Sequence, residues 1–170
     1  MGGYSRPKLE AEVIRDEDER LRVYRCTSNK QTIGIGRNLD DVGISAAETK
    51  ALGITTASCI AKGITREQSR ALFANDIGRV EADLDRALPW WRTLSDARQR
   101  VMLNMTFNMG IGRRAAPGKP AKGMLSFEGG TLRAVREGRW ADAAKGMLAS
   151  KWAGQVGARA NRLAAMMLAG

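Results

Sequence analysis

The 170-residue sequence contains no histidine. Without imidazole, the chain cannot build a Ser-His-Asp triad, a Cys-His pair or a zinc site of the His-Glu-x-x-His kind. Acid–base chemistry would have to use carboxylates, hydroxyls, thiols, lysines or backbone groups. No residue pattern indicates a metal site or an organic cofactor, and we expect neither.

Cysteines and long apolar runs are also scarce. Cys26 and Cys59 are the only cysteines, and no Cys-x-x-Cys spacing occurs, so neither a zinc ribbon nor a disulfide framework is indicated; whether the two pair is open. The longest apolar run, 163–170, is too short to cross a bilayer, and the N-terminal segment 1–10 is polar. No signal peptide or membrane anchor is predicted, and we expect synthesis in a cytoplasm.

The positive charge is concentrated in the C-terminal third. The whole chain carries 28 basic and 18 acidic residues, for a net charge of +10, and residues 113–170 account for +8 of it. Such a region suits polyanions, either nucleic acid or a bacterial envelope rich in phosphate and carboxylate; an ordinary solvated basic face is the alternative. Aromatics are only 5% and no zinc-finger or helix-turn-helix signature occurs, so we expect no specific nucleic-acid binding.

Period-two alternation occurs in one short part of the chain. Residues 20–25 and 31–36 alternate across the polar turn 27–30, which predicts a β-hairpin. A short helix over 9–18 is predicted to precede it.

Helical periodicity predominates elsewhere. Ser45 is predicted to cap a helix that ends near Leu52, and Thr65 with Gln68 fits a capping box that opens a long helix. Pro89 is predicted to end that long helix. An exposed loop is predicted over 111–123, and further helices over 95–108, 131–137, 140–150 and 158–168.

These elements predict an α+β fold that is mostly helical. We expect a single domain over 1–170, with a small α+β lobe (13–64) and a larger helical lobe (65–170) joined by the N-terminal helix. A cleft between the lobes is the natural place for a ligand. The small-residue stretch within 45–63 has no predicted role.

Three residues of the small lobe belong together only by their spacing. Glu17 ends the first helix, Cys26 closes the first strand and Thr32 opens the second. Taken singly, they are typical of a solvated acidic helix end, a small buried hydrophobe and a strand former.

Eight residues separate Glu17 from Cys26, and five separate Cys26 from Thr32. In this spacing the chain resembles the phage-type lysozymes, the muramidases of glycoside hydrolase family 24. That family has Glu, eight residues, Asp or Cys, five residues and Thr. The resemblance continues in order through Asn104-Met105-Thr106-Phe107-Asn108-Met109-Gly110, Arg139-Trp140-Ala141-Asp142-Ala143-Ala144 and Ser150-Lys151-Trp152 followed by Gln155, Arg159 and Arg162.

The resemblance implies a lysozyme-like fold and hydrolysis of the β-1,4 bond between N-acetylmuramic acid and N-acetylglucosamine in peptidoglycan. It implies that Glu17 is the general acid and that Arg159 lies beside it, mainly to orient the carboxylate. Phe107 and Asn108 are the candidate substrate contacts, with core packing as the alternative for Phe107.

Two positions depart from the pattern of most relatives. Cys26 stands where many have aspartate; with Thr32 it would position the attacking water, or alternatively it would act as a nucleophile that forms a thioglycosyl intermediate. Arg37 replaces a histidine that pairs with an aspartate on the inter-lobe helix. We therefore predict an ion pair between Arg37 and Asp76, one that would not titrate near neutral pH.

The resemblance implies a monomeric phage or prophage endolysin that waits in the host cytoplasm until a holin opens the membrane. A virion-attached lysozyme is the alternative role. A lytic transglycosylase and a non-catalytic peptidoglycan-binding module are the alternative activities. The basic C-terminal region is expected to contact the anionic cell envelope.

Overall fold

The computed structural model describes residues 3–170, and the first two residues of the predicted domain lie outside the described residues. Two compact units are present. One, the sheet unit, is Glu10–Gly78; the other, the helical unit, combines residues 3–9 with Arg79–Gly170. The helices α1 (Arg6–Glu17) and α4 (Arg66–Ala87) contribute residues to both units.

The sheet unit contains the predicted hairpin and one additional short strand. Strand β1 (Arg20–Arg25) pairs antiparallel with β2 (Gln31–Gly34), which pairs antiparallel with β3 (Arg37–Asn38). Gly34 has a φ of +63°, a left-handed conformation that favours glycine. This glycine ends β2, so that the chain can return as β3.

Two short helices follow the sheet. A capping box at Ser45 opens α2 (Ala46–Leu52), as predicted, and another at Thr55 opens α3 (Thr56–Lys62). Helix α3 occupies the stretch within 45–63 for which no structure was predicted. Its capping partner is Ser58, a serine where the usual pattern has Glu or Gln, so the sequence signal was weak.

The core of the sheet unit explains where the unit ends. Its buried cluster consists of Ile33, Leu39, Ile54, Cys59, Ile64 and Leu72. Because Leu72 lies on α4, the first turns of that helix belong with the sheet. The observed boundary therefore falls at residues 78/79, within α4, whereas the predicted lobe boundary falls at 64/65.

The helical unit is built around α5 (Asp96–Met109), which the cap at Ser95 begins. Residues 99–106 of α5 are all buried, and a helix buried on every side lies in a core. Helix α9 (Ala158–Ala169) and the 3-10 helices Pro89–Thr93 and Gly123–Phe127 pack on α5. The other helices of this unit are α6 (Thr131–Arg136), α7 (Trp140–Leu148) and α8 (Lys151–Val156).

The predicted fold class is confirmed: the chain is 62% helical with one small antiparallel sheet. Hydrogen bonds between Thr65 and Gln68 form the predicted capping box, and α4 ends two residues before Pro89. Helix α8 was not predicted: Trp152 is its only buried residue, so no apolar stripe marks it. Within residues 3–170, none of the helices has the length and apolarity that crossing a bilayer requires.

Candidate active site

Glu17 is the last residue of α1, and the chain turns sharply after it. Asp18 has a φ of +66°, and its backbone N–H donates to the Ile14 carbonyl at 2.8 Å, which ends the helix in the left-handed conformation. Glu19 is held by Ser69 and Arg70, whose side chains donate to its carboxylate at 2.9 and 2.8 Å. These contacts fix the half-buried Glu17 at the point where helix passes into sheet.

Cys26 lies in the hairpin turn. Its carbonyl accepts from the Asn29 N–H at 2.8 Å, and its own N–H donates to the Lys30 carbonyl at 3.0 Å. Asn29 has a φ of +59°, as the last residue of a three-residue hairpin loop requires. The loop therefore curls around the thiol and turns backbone N–H groups towards it.

The pKa of the Cys26 thiol lies below its ordinary value. Partial burial acts in the opposite direction, but hydrogen bonds from the Lys30 amide, the Thr32 hydroxyl and the Ser28 amide outweigh it. The site can therefore hold a thiolate, stabilised by dipoles of the protein itself.

Thr32 is buried and lies next to this thiol. It stands opposite Tyr24 in the β1–β2 register, and its hydroxyl donates to the Lys30 carbonyl at 3.1 Å. A hydroxyl has one proton, so it can serve either that carbonyl or the Cys26 sulfur at one time. Its lone pairs remain able to accept a hydrogen bond from a water molecule.

Tyr24 reports on the electrostatics of this site. Burial raises the pKa of its hydroxyl, and the charges of Glu17 and Cys26 raise it further. Arg20 lies over the Tyr24 ring, 4.6 Å from its centroid. Two of the three predicted catalytic residues, Glu17 and Cys26, thus act on the same half-buried phenol, which the sequence alone did not single out.

The predicted ion pair between Arg37 and Asp76 is confirmed, at 3.0 Å from Nη2 to Oδ1. A third partner was not predicted: Glu48 on α2 forms a bidentate pair with the same guanidinium, at 2.7 and 3.0 Å. The hydrogen bonds from Arg37 hold the pKa of the Glu48 carboxyl well below its usual range, although burial opposes the shift. This buried network fastens the β3–α2 segment to α4.

The other predicted site residues lie in the helical unit. Arg159 on α9 is buried, and its Nε donates to the Asn104 side-chain oxygen at 2.9 Å. Asn108 is exposed and accepts a 2.9 Å hydrogen bond from the Trp152 indole. Phe107 is half-buried, which does not distinguish a substrate contact from a core residue, the two predicted alternatives. The pairing of Arg159 with Glu17 stays a prediction.

The two cysteines are separate thiols. Cys59 lies in the core of the sheet unit, where burial raises the pKa of its thiol. Within residues 3–170, no cluster of three or more acidic or thiol side chains is arranged to hold a metal ion.

Comparison with known proteins assigns the chain to a family. The profile of the family described as phage lysozyme matches residues 15–165, which include the helix end, the hairpin and the helices of the second unit. The chain belongs to the phage lysozyme family. The family is named for lysozymes, which are glycoside hydrolases.

Individual relatives of this phage lysozyme family member differ in length. The pre-baseplate central spike protein Gp5 of Enterobacteria phage T4 is 31% identical over 94% of this chain, and the chain spans only 28% of that protein's length. Probable T4-type lysozyme 1 of Dictyostelium discoideum is 27% identical over 91% of this chain and 90% of its own length. Probable T4-type lysozyme 2 of the same organism is 28% identical over 87% of this chain and 86% of its own.

Proposed function

We propose that this chain hydrolyses the β-1,4 bond between N-acetylmuramic acid and N-acetylglucosamine in peptidoglycan. The observation that carries the proposal is the hairpin turn, where backbone amides and Thr32 surround a low-pKa Cys26, one strand away from Glu17 at the end of α1. Membership of the phage lysozyme family supports the same reaction.

In this proposal Glu17 protonates the glycosidic oxygen as the sugar leaves. The cation that develops on the sugar is then attacked by a water molecule. The Cys26 thiolate accepts a hydrogen bond from that water and takes its proton as the new C–O bond forms. The Thr32 hydroxyl accepts a hydrogen bond from the other O–H of the water, so that a lone pair of the water faces the anomeric carbon. Arg159 orients the Glu17 carboxyl, and Phe107 and Asn108 contact the substrate.

Mass spectrometry of digested peptidoglycan tests the reaction. Hydrolysis leaves hydrated reducing muramic ends, whereas a lytic transglycosylase leaves anhydro ends and a binding module leaves no products. We expect Glu17→Gln to lower the rate at least ~100-fold, as loss of a general acid does. Glu67→Gln, on the exposed first turn of α4, is the matched control and should retain activity.

The role of Cys26 is tested separately. If its charge positions water, Cys26→Asp should stay active and give inverted product anomers, whereas Cys26→Ser should lose most activity. Retained anomers would instead support a covalent thioglycosyl intermediate. Cys59→Ala is the control for thiol loss, because Cys59 lies in the core of the sheet unit. Full activity of Cys26→Ser would remove any role that depends on the thiol.

Arg159 is tested by substitution with a measurement of folding. Arg159→Met keeps the length of the side chain but loses the guanidinium, and should lower hydrolysis while circular dichroism stays native. Unchanged hydrolysis would refute the orienting role.

We propose an endolysin as the biological role, accumulating in the host cytoplasm and reaching the cell wall through a holin lesion. The similarity to a spike protein of phage T4 favours a second candidate, a lysozyme carried on the virion. Mass spectrometry of purified particles separates the two, since an endolysin is absent from the washed virion.

We also propose that the basic C-terminal region, with +8 of the +10 net charge, attracts the enzyme to an anionic envelope. Salt screens exposed charges, so it should weaken lysis of intact cells more than digestion of purified peptidoglycan. Equal salt sensitivity of the two would refute this proposal.

A further inference from the structure

An exposed β-hairpin projects from the helical unit between α5 and the second 3-10 helix. Backbone hydrogen bonds join Arg113 with Lys122, at 3.1 and 2.9 Å, and Ala116 with Lys119, at 2.9 and 2.8 Å. Pro117 and a left-handed Gly118 form the tip. The hairpin is thus ordered by its own backbone, although residues 112–120 are all exposed and bury no apolar core.

Glycines close the base of this hairpin. At Gly112, with a φ of +72°, a Cβ atom would overlap the Lys122 carbonyl group, and at Gly123 it would overlap the backbone of Gly110 and Gly112. Only glycine allows the two arms to approach so closely. The hairpin therefore leaves the helical unit in a defined direction.

Three of its four cations form no ion pair with the described residues of the fold. Arg114 alone is anchored, by Glu128 at 2.7 Å and by the Ala87 carbonyl at 3.2 Å. Within the described part of the chain, the side chains of Arg113, Lys119 and Lys122 have no carboxylate partner. Arg113 and Lys122 even stand directly opposite each other, a like-charge pairing that destabilises an isolated hairpin.

A further cation that has no acidic partner within residues 3–170 lies near the base of the hairpin. Lys122 and Lys151 both line a groove of about 990 Å³, whose other lining groups include Phe127 and the hydroxyls of Ser126 and Thr131. Lys151 is exposed and, within the described part of the chain, has no acidic partner. Arg113, Lys119, Lys122 and Lys151 together are called here the hairpin patch.

We propose that the hairpin patch is an electrostatic docking surface for a membrane whose lipid headgroups carry phosphate. Lysine and arginine side chains near an anionic membrane each add to binding through the surface potential, with no need for a shaped pocket. The pairing of Arg113 with Lys122 places two cations opposite each other at a cost in stability, which a polyanionic surface would offset. This inference rests on the proposed envelope contact, but not on hydrolysis.

Duplex or single-stranded nucleic acid is the less suitable polyanion. The hairpin carries only Ala, Pro and Gly beside its cations, so no aromatic side chain on it can stack on a base. Its blunt two-residue tip also provides none of the amide side chains that read base edges. A lipid surface requires only the charge that the patch supplies.

The test is sedimentation of the full chain with vesicles of equal parts phosphatidylcholine and phosphatidylglycerol, compared with pure phosphatidylcholine. The variant combines Arg113→Gln, Lys119→Gln and Lys122→Gln. The matched control combines Lys8→Gln, Lys50→Gln and Lys62→Gln, three exposed lysines in other parts of the chain, and has the same net charge. At about fivefold per cation, the hairpin variant should lose binding by on the order of 100-fold.

The supporting result is loss of anionic-vesicle binding in the hairpin variant, with the control close to wild type. A conservative variant, Arg113→Lys with Lys119→Arg and Lys122→Arg, should bind like wild type and shows that folding is intact. Equal losses of vesicle binding in both triple variants, or unchanged binding in the hairpin variant, would overturn the proposal that the hairpin patch is the docking surface. Tighter binding of the wild type to duplex DNA than to the anionic vesicles would do so as well. A wild type that ignores anionic vesicles would overturn the envelope contact too, whereas peptidoglycan digestion would be unaffected in every case.

Discussion

Replacing Arg37 with methionine should destabilise the sheet unit more than almost any other single change. The guanidinium is 2% exposed and contacts two carboxylates, Glu48 and Asp76. It also donates to the carbonyls of Gly43 and Leu72 at 3.0 and 3.2 Å. Methionine keeps the apolar stem of the side chain but removes every one of these hydrogen bonds.

The expected loss of stability follows from the Glu48 carboxylate, which would remain buried after Arg37 is replaced. Glu48 is 4% exposed, so its carboxylate would stay buried without the charge of Arg37. The Ser45 amide and the Asn75 side chain, which donate to it at 2.9 and 3.1 Å, are neutral and do not replace that charge. Breaking a buried ion pair from one side costs about 3–5 kcal/mol. The free energy of unfolding of a typical domain of this size is about 5–15 kcal/mol, so the variant would lose a large part of its total stability.

Urea unfolding at pH 7, followed by circular dichroism, measures the free energy of unfolding of the wild type, of Arg37→Met and of Arg37→Met combined with Glu48→Met. The double variant also removes the buried Glu48 carboxylate and fills its space with an apolar side chain. It should therefore be more stable than Arg37→Met alone, by about 1–3 kcal/mol.

A loss below about 1 kcal/mol in Arg37→Met would refute the reasoning, since it would mean that the network is solvated or replaceable. Simple additivity of the two substitutions would refute it equally, because residues that share a buried pair must be coupled. Arg37→Lys, which keeps a charge but not the bidentate geometry, should fall between wild type and Arg37→Met.

Four further predictions concern pH, thiols and the backbone. Arg37 lowers the pKa of the Glu48 carboxyl, so the ionised carboxylate stabilises the folded state above the unfolded pKa of 4.5, and this stabilisation is lost as the pH falls below that value. The free energy of unfolding of Glu48→Gln should therefore lie closer to that of the wild type below pH 4 than at pH 7. Iodoacetamide at pH 7 should label Cys26 at least ~10-fold faster than Cys59, by peptide mass mapping, since the pKa of Cys26 is lowered and Cys59 is fully buried. Thr106→Val should raise the free energy of unfolding by about 1 kcal/mol, because the buried Thr106 hydroxyl has no hydrogen-bond partner among the described residues; a lower melting temperature would contradict this. Gly112→Ala should cost about 1–3 kcal/mol by the same unfolding assay, through its left-handed φ and overlap with a carbonyl.

Local patterns predicted the parts of this protein whose partners lie close in the chain. The hairpin, the caps at Ser45 and Thr65 and the stop before Pro89 follow from alternation, hydrogen bonding within four residues and the missing amide of proline. The two short helices α3 and α8 were missed because each has a single buried residue, Cys59 and Trp152, and therefore no apolar stripe. Neither begins with a Ser or Thr that is followed three residues later by Glu or Gln.

The role of Arg37 illustrates how far sequence reasoning extends. Its pairing with Asp76 was predicted through a resemblance, because a known partner position existed for it. Glu48 was not predicted, since a glutamate at the third position of a helix is explained fully by the capping box with Ser45. The same carboxylate serves both the cap and the ion pair, and only packing of α2 against the sheet reveals the second use.

The sequence by itself determined the chemistry available to this protein: no imidazole, and Glu17, Cys26 and Thr32 at spacings that one helix end and one hairpin bring together. Tertiary structure decided the state of those groups. The lowered pKa of Cys26 depends on amides that the loop turns inward, and the order of the exposed hairpin at 113–122 depends on two glycines closing its base. The first depends on where backbone dipoles point and the second on how closely two backbone segments approach, and both are set only when the chain has folded.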